Sequence, residues 1–178
     1  MTEREKYDTI YRLQKYGEDY EDYGNTNHGR FMMDSIASDD KIKSILDVGC
    51  GHNQFIEILR MGGKAGTGID FACPGADYIM DVLELKDKFE KKQFDMVTSF
   101  DTLEHLLPEQ INDALKNIKW CGKRFAFSIA FKDSMYRCNG ESLHPTVKSR
   151  AWWISKIQEH GGIVREKGRI YLTGRWKL

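Results

Sequence analysis

The run Ser44-Ile45-Leu46-Asp47-Val48-Gly49-Cys50-Gly51-His52-Asn53-Gln54-Phe55 constrains the fold of this chain more than any other segment. An apolar stretch enters a turn with two glycines, and Phe55, Ile58, Leu59 and Gly62 then recur at helical spacing. The spacing predicts a strand at Ser44–Val48, a Gly-rich loop, and a helix over Asn53–Met61. Gly49 and Gly51 permit positive φ and let a ligand approach the backbone closely. The N–H groups that open the helix favour a carboxylate or another anion. Asp47, at the strand end, can accept hydrogen bonds from a positively charged amine.

The rest of the chain alternates in the same way. Glu3–Tyr16 reads as a polar helix with Tyr7, Ile10 and Tyr11 along one side, followed by a loop over Gly17–Gly29 and a short helix over Gly29–Ala37. Strands are predicted at Ala65–Asp70, Tyr78–Met80, Phe94–Phe100 and Arg124–Ile129. Helices are predicted at Leu83–Phe89, Pro108–Trp120 and Ser149–His160. Ser149 is the expected N-cap of the last helix and Gly161 its C-terminal stop. Ile163–Glu166 and Ile170–Gly174 read as a closing hairpin. Strands alternating with helices argue for an α/β fold, a three-layer αβα sandwich around a mainly parallel sheet. The hairpin adds an antiparallel strand at the C-terminus. The chain reads as one domain over 1–178. Residues 1–40 form an N-terminal helical cap segment, 41–131 a cofactor-binding half and 132–178 a substrate-side half.

The 178 residues are about 40% apolar, enough for one sizeable core. No apolar run approaches the ~20 residues of a membrane helix. The polar start Met1–Lys6 shows no secretory signal. Cys50, Cys73, Cys121 and Cys138 lack C-x-x-C spacing, so reduced thiols and a cytoplasmic location are expected. The zero net charge hides a split, with 13 basic and 22 acidic residues in 1–109 but 14 basic and 5 acidic in 110–178. A basic face for an anionic partner and a mutual cancellation in the fold are both consistent with it.

A nicotinamide-binding loop needs G-x-G-x-x-G, and the third glycine is missing here. The segment instead resembles motif I of the class I, Rossmann-like S-adenosylmethionine-dependent methyltransferases, in a compact variant. Their pattern is acid-x-Gly-x-Gly-x-Gly; Asp47, Gly49 and Gly51 match, and Asn53 replaces the last glycine. Asn tolerates left-handed backbone, so the turn can survive. The resemblance extends to Gly66-Thr67-Gly68-Ile69-Asp70, to Asp77-Tyr78-Ile79-Met80-Asp81-Val82 and to Phe94-Asp95-Met96-Val97 leading into Leu103-Glu104-His105-Leu106. It implies a sheet of the seven-stranded type and S-adenosyl-L-methionine as cofactor, with S-adenosyl-L-homocysteine as product. It also implies that Asp47, Gly49, Cys50, Gly51 and Asn53 cradle the methionine end, and that Asp70 and Phe71 meet the ribose. By the same resemblance Asp81 and Val82 meet the adenine, and Ser99, Phe100 and Asp101 border the methyl. Phe71–Asp77 departs from the pattern, being too short for the usual crossover helix.

Methyl transfer from a sulfonium is a direct displacement, so the enzyme must align the acceptor and, for a hydroxyl, help remove its proton. His105, just after the fourth strand, and His144, in the loop after the fifth, are the candidate catalytic residues. Tyr11, His28, Arg30 and Arg150 are the candidate acceptor contacts. No His/Cys cluster has metal-ligand spacing, so no metal is expected. The chain lacks the Pro-Pro motif of amino-directed DNA enzymes and the Pro-Cys nucleophile of cytosine-C5 enzymes. Three readings stay open. The first is an enzyme methylating an O or N atom of an anionic small molecule, nucleotide or glycan, motivated by Lys132, Arg137, Lys148 and Arg150. The second is a nucleic-acid methyltransferase, and the third a non-catalytic cofactor-binding module, which Asp47, Gly49, Gly51 and Asp70 argue against. The oligomeric state is left open, and no membrane partner is expected.

Overall fold

A computed structural model describes residues 3–13, 29–135, 137–138 and 140–177. Its elements run in this order: α1 (Glu3–Leu13), α2 (Arg30–Ala37), β1 (Ser44–Val48), α3 (Gln54–Met61), β2 (Ala65–Asp70), β3 (Tyr78–Ile79), α4 (Leu85–Lys88), β4 (Phe94–Phe100), α5 (Ile111–Cys121), β5 (Gly122–Ser128), β6 (Arg137–Cys138), β7 (Glu141–Ser142), α6 (Arg150–Glu159), β8 (Gly162–Lys167) and β9 (Tyr171–Trp176). Seven strands form one mixed sheet in the order β3-β2-β1-β4-β5-β9-β8. The first five in that order are parallel to one another, while β9 runs antiparallel to β5 and β8 antiparallel to β9. This is the α/β fold expected from the sequence, with its antiparallel C-terminal ending.

Both faces of the central strands are buried, so neighbouring residues supply opposite cores. Ile45, Met96 and Ala126 pack with Phe55, Ile56 and Ile36 from α2 and α3. Leu46, Val97 and Phe125 point the other way, to Leu115, Ile118 and the fully buried Trp153 from α5 and α6. A smaller cluster joins Tyr7, Ile10 and Tyr11 of α1 to Ala72, Cys73 and Leu143. It seats α1 over loops that follow the strands. No helix among the described residues is long and apolar enough to cross a membrane.

Several local expectations are revised. Pro108 does not open α5; the helix begins at Ile111, and the Gln110 side chain accepts from the Leu107 N–H at 2.9 Å. The helix predicted over Leu83–Phe89 splits into a 3-10 turn at Val82–Glu84 and the single turn of α4. Asp81 caps that 3-10 turn, accepting from Leu83 N–H at 2.9 Å in a reciprocal box with Glu84. The closing strands are longer than predicted and turn at Gly168, whose φ is +66°. The small hairpin β6–β7 carries no apolar alternation and was not predicted. β2 and β3 are parallel with no helix between them, and β3 pairs only through Tyr78 and Ile79. Ser149 caps α6, accepting from Trp152 N–H at 3.2 Å, and Gly161 follows the helix at φ +84°. The end of the predicted first helix, the loop before α2 and His28 lie outside the described residues.

Candidate active site

The parallel strands present their C-terminal ends to one edge of the sheet, where open α/β sheets bind ligands. The loop after β1 has the conformation its glycines allow, with φ +75° at Gly49, +53° at Gly51 and +63° at Asn53. A Cβ at Gly49 would lie 2.1 Å from Thr102 Oγ1, so only glycine fits there. Asn53 takes the left-handed position that glycine was expected to hold. Its side chain is buried against Gly68, and its Nδ2 donates to Gly75 O at 3.2 Å. Asn53 therefore holds the turn together. Cys50 donates its backbone N–H to Ile69 O at 3.0 Å, and burial pushes its thiol far above the ordinary range.

Asp47 lies at the end of β1, 3% exposed. It accepts from Thr98 Oγ1 at 2.6 Å. Burial raises its carboxyl to about 7, partly opposed by the Thr98 hydrogen bond and reinforced by the charge of Asp70. Asp70, at the end of β2, ties the site together. Its Oδ2 accepts from Gly51 N–H at 3.0 Å and from the Tyr11 hydroxyl at 3.1 Å. Its Oδ1 accepts from Ala72 N–H at 3.0 Å and Cys73 N–H at 2.9 Å. Tyr11 thus reaches Asp70, the residue expected to meet the ribose. Its ring also meets His52 edge-on at 5.9 Å, and burial holds its phenol protonated. Phe71 stands beside it, edge-on to Tyr7 and under the Arg4 guanidinium at 5.4 Å.

The second half of the site follows β4. Ser99 is fully buried, and its Oγ has no hydrogen-bond partner among the described residues. The Phe100 side chain packs into the α2–α3 core, edge-on to Phe55 at 5.0 Å, so it is a core residue. Asp101 adopts φ +57°, an uncommon backbone for a non-glycine, and its N–H donates to Ser128 O at 3.0 Å. A 3-10 turn at Leu103–His105 then brings His105 under α1. The Tyr7 hydroxyl bonds His105 Nδ1 at 2.7 Å, and the ring meets His144 edge-on at 4.7 Å. Burial pushes His105 below the usual imidazole range, so the ring is neutral at neutral pH.

The loop carrying His144 is pinned onto this turn. Thr146 donates its N–H to Glu104 O at 3.1 Å and its hydroxyl to Leu106 O at 2.5 Å. His144 Nδ1 lies 3.0 Å from Lys132 O, and a carbonyl can only accept, so Nδ1 donates there and Nε2 is the nitrogen left for another partner. Glu104 is fully buried and accepts from Ala130 N–H through Oε1 at 2.5 Å. Burial, then the charge of Asp101, raise its carboxyl well above the usual range.

The structure therefore brings together Asp47, Gly49, Gly51, Asp70 and Tyr11 on one side and Asp101, His105 and His144 on the other. Asp81 and the buried Val82 sit at the 3-10 turn after β3, where Asp81 works as a cap. Arg30 lies on α2 with its guanidinium over Phe31 at 4.7 Å, and Arg150 donates to Gly168 O at 2.9 Å at the β8–β9 turn. The described contacts join neither arginine to the two histidines. Tyr7, Thr98 and Glu104 belong to the site and are not singled out by sequence reasoning. Tyr7 and Thr98 resemble ordinary helix-face and strand residues, and Glu104 is hidden inside a family motif read for its histidine.

The profile of a family described as "Methyltransferase domain" matches residues 23–165. No curated protein sequence matches the chain. Among solved structures, the 1,6-didemethyltoxoflavin-N1-methyltransferase of Burkholderia thailandensis, with bound 1,6-didemethyltoxoflavin and S-adenosylhomocysteine, superposes with a TM-score of 0.75 at 14% identity. That similarity covers 98% of this chain and 87% of the other. The magnesium protoporphyrin IX methyltransferase of Synechocystis, with bound S-adenosylmethionine, gives 0.66 at 13% identity, covering 99% and 98%. DesVI of Streptomyces venezuelae gives 0.64 at 14% identity, covering 99% of each chain. At these identities the superpositions speak for the fold, and the family match, which spans most of the sequence, speaks for the lineage. The chain belongs to the class I, Rossmann-like methyltransferases, enzymes that take their methyl group from S-adenosylmethionine.

Proposed function

We propose that the enzyme transfers the methyl group to an oxygen or nitrogen of an anionic small molecule, nucleotide or glycan-type acceptor. The observation that carries this reading is the His105–His144 pair, at the C-terminal end of β4 and under α1. Lys6 of α1 supplies positive charge there, close enough to His105 to oppose its protonation. The names of two structurally similar enzymes, one acting on 1,6-didemethyltoxoflavin and one on magnesium protoporphyrin IX, also favour a small acceptor.

The residues present fit S-adenosylmethionine, which when bound supplies an electrophilic methyl on a sulfonium. The loop at Gly49 and Gly51 leaves open the volume that side chains would fill. Asp47 is a buried carboxyl that a cationic amine would relieve, and Ser99 Oγ is a buried hydroxyl awaiting a partner. Asp70 presents two oxygens fixed by three backbone amides, and a ribose hydroxyl would take the place of the Tyr11 hydroxyl on Oδ2. His105 and His144 orient the acceptor, with His105 held by Tyr7 and His144 by the Lys132 carbonyl.

Two outcomes test these assignments. His105→Ala and His144→Ala should each leave S-adenosylhomocysteine affinity within about twofold in calorimetry, while lowering kcat by about 100-fold or more. A matching loss of affinity would move the histidines to the cofactor side. Asp47 gives a pH signature. Its carboxyl is raised in the free protein, so below pH 7 it is protonated, and binding an ammonium must first expel that proton. Affinity for S-adenosylhomocysteine should therefore rise by up to about tenfold per pH unit between pH 5 and 7 and then level off. Asp47→Asn should bind weakly with a flat profile; a flat profile in the wild type would remove Asp47 from the amine. The acceptor itself is sought with methyl-labelled cofactor and a fractionated lysate. Label in small molecules or glycans supports the proposal, and label confined to nucleic acid overturns it.

A further inference from the structure

Asp101, Glu104 and His144 each offer a ligand atom, and these atoms all lie within 4.8 Å of one another. Three independent features set this group apart from a chance acidic cluster. Glu104 is fully buried; Oε1 takes the Ala130 N–H, but Oε2 has no hydrogen-bond partner among the described residues. Its carboxyl meets that of Asp101, and two carboxylates offer each other no donor, so the pair needs a proton or a cation between them. The third ligand is prepared, because the Lys132 carbonyl holds the His144 Nδ1 proton and leaves the Nε2 lone pair for a metal. Metal-binding histidines are commonly oriented by such a carbonyl. Asp101 is kept in place by its left-handed backbone and its bond to Ser128, and His144 by the Thr146 ties to Glu104 and Leu106.

We propose that Asp101, Glu104 and His144 bind a divalent cation on the acceptor side of the cleft. This deepens, and rests on, the acceptor-side reading given above. Cys/His spacing predicts no metal because two of these ligands are carboxylates and the third lies in a distant loop. Two carboxylate oxygens and one imidazole nitrogen suit Mn2+, Fe2+, Co2+ or Zn2+ better than Ca2+, which prefers six to eight oxygens. Three protein ligands leave coordination positions open. An acceptor hydroxyl, or two adjacent acceptor oxygens, would fill them. The cation would help orient that oxygen and lower its pKa, beside the orienting contact of His105. The acceptor class that follows carries a hydroxyl beside a second oxygen donor.

The test is a Mn2+ titration of the metal-stripped protein, with and without S-adenosylhomocysteine, followed by the loss of the free-ion paramagnetic resonance signal. One equivalent of Mn2+ should bind. Glu104→Gln keeps the side-chain volume and can donate to Asp101, so the fold survives, but Mn2+ affinity should fall by about 100-fold or more. His144→Gln should weaken it in the same direction, and both variants should keep their S-adenosylhomocysteine affinity. Absence of saturable Mn2+ binding in the wild type, or equal binding in Glu104→Gln, would overturn the site and leave a shared proton between the two carboxyls. Those results leave the cofactor reading intact; that reading fails separately if S-adenosylhomocysteine does not bind.

Discussion

Gly49→Ala is expected to destabilise the protein by about 2–5 kcal/mol and to abolish S-adenosylhomocysteine binding. Two costs combine. Left-handed backbone costs a non-glycine residue about 1–2 kcal/mol, and Gly49 sits at φ +75°. The new Cβ would also lie 2.1 Å from Thr102 Oγ1 and 2.4 Å from its Cγ2. Relieving such overpacking typically costs about 1–3 kcal/mol. Thr102 cannot simply rotate away without disturbing the bond its hydroxyl makes to Phe100 O at 3.2 Å. Relaxation would instead shift the loop after β1 against the segment after β4, the two pieces that border the cleft. Gly63→Ala separates the two costs. Gly63 has φ +83° but nothing within 4 Å of the added Cβ, so it carries only the conformational cost. Urea denaturation and calorimetry on the pair decide the matter. If Gly49→Ala unfolds no more easily than Gly63→Ala and still binds, the Thr102 contact does not shape the loop.

Asp70→Ala should cost about 3 kcal/mol or more and also eliminate nucleoside binding. The carboxylate accepts from the backbone N–H of Gly51, Ala72 and Cys73 and from the Tyr11 hydroxyl. Truncation leaves these donors without their acceptor, at about 1–3 kcal/mol for each buried group that water cannot reach. The loss also unhooks the glycine loop from β2 and α1 from the sheet edge. Asp70→Asn isolates the ligand effect. Its carbonyl oxygen can keep one set of bonds, but its NH2 would face donors on the other side. We expect a folded protein with S-adenosylhomocysteine affinity reduced by about 100-fold or more. A folded Asp70→Asn with wild-type affinity would show that this carboxylate does not hold the ribose.

Much of this architecture is legible in the residues because it is enforced locally. Alternation of Ile45 and Leu46, or Met96 and Val97, reads as a strand buried on both faces, and the sheet places those pairs in opposite cores. Gly49 and Gly51 announce a backbone that other residues resist, and Asn53 tolerates the left-handed conformation that keeps it. Less legible is which of several available partners a polar or aromatic side chain finally engages. Asp81 reads as an adenine acceptor by resemblance but is engaged as a cap on its own turn. Phe100 reads as a cleft residue because it ends β4, yet its ring turns to Phe55. Pro108 suits a helix start, but the chain makes one more turn before α5.

The sequence alone determined the strand–loop–helix at Ser44–Met61, the alternating order of the elements and the antiparallel ending. These follow from backbone conformation and apolar periodicity, which act between residues a few positions apart; the cofactor class came from the resemblance of the chain's motifs to a known family. Only the tertiary structure decided that Tyr11 would bond Asp70, that Tyr7 would bond His105, and that Asp101 and Glu104 would face His144. Those pairings join α1, the ends of β2 and β4 and the loop after β7. Their physical cause is burial: once packing removes water from Asp70 and Glu104, their oxygens depend on whatever donors the fold brings near, which Asp70 finds and Glu104 Oε2 does not among the described residues.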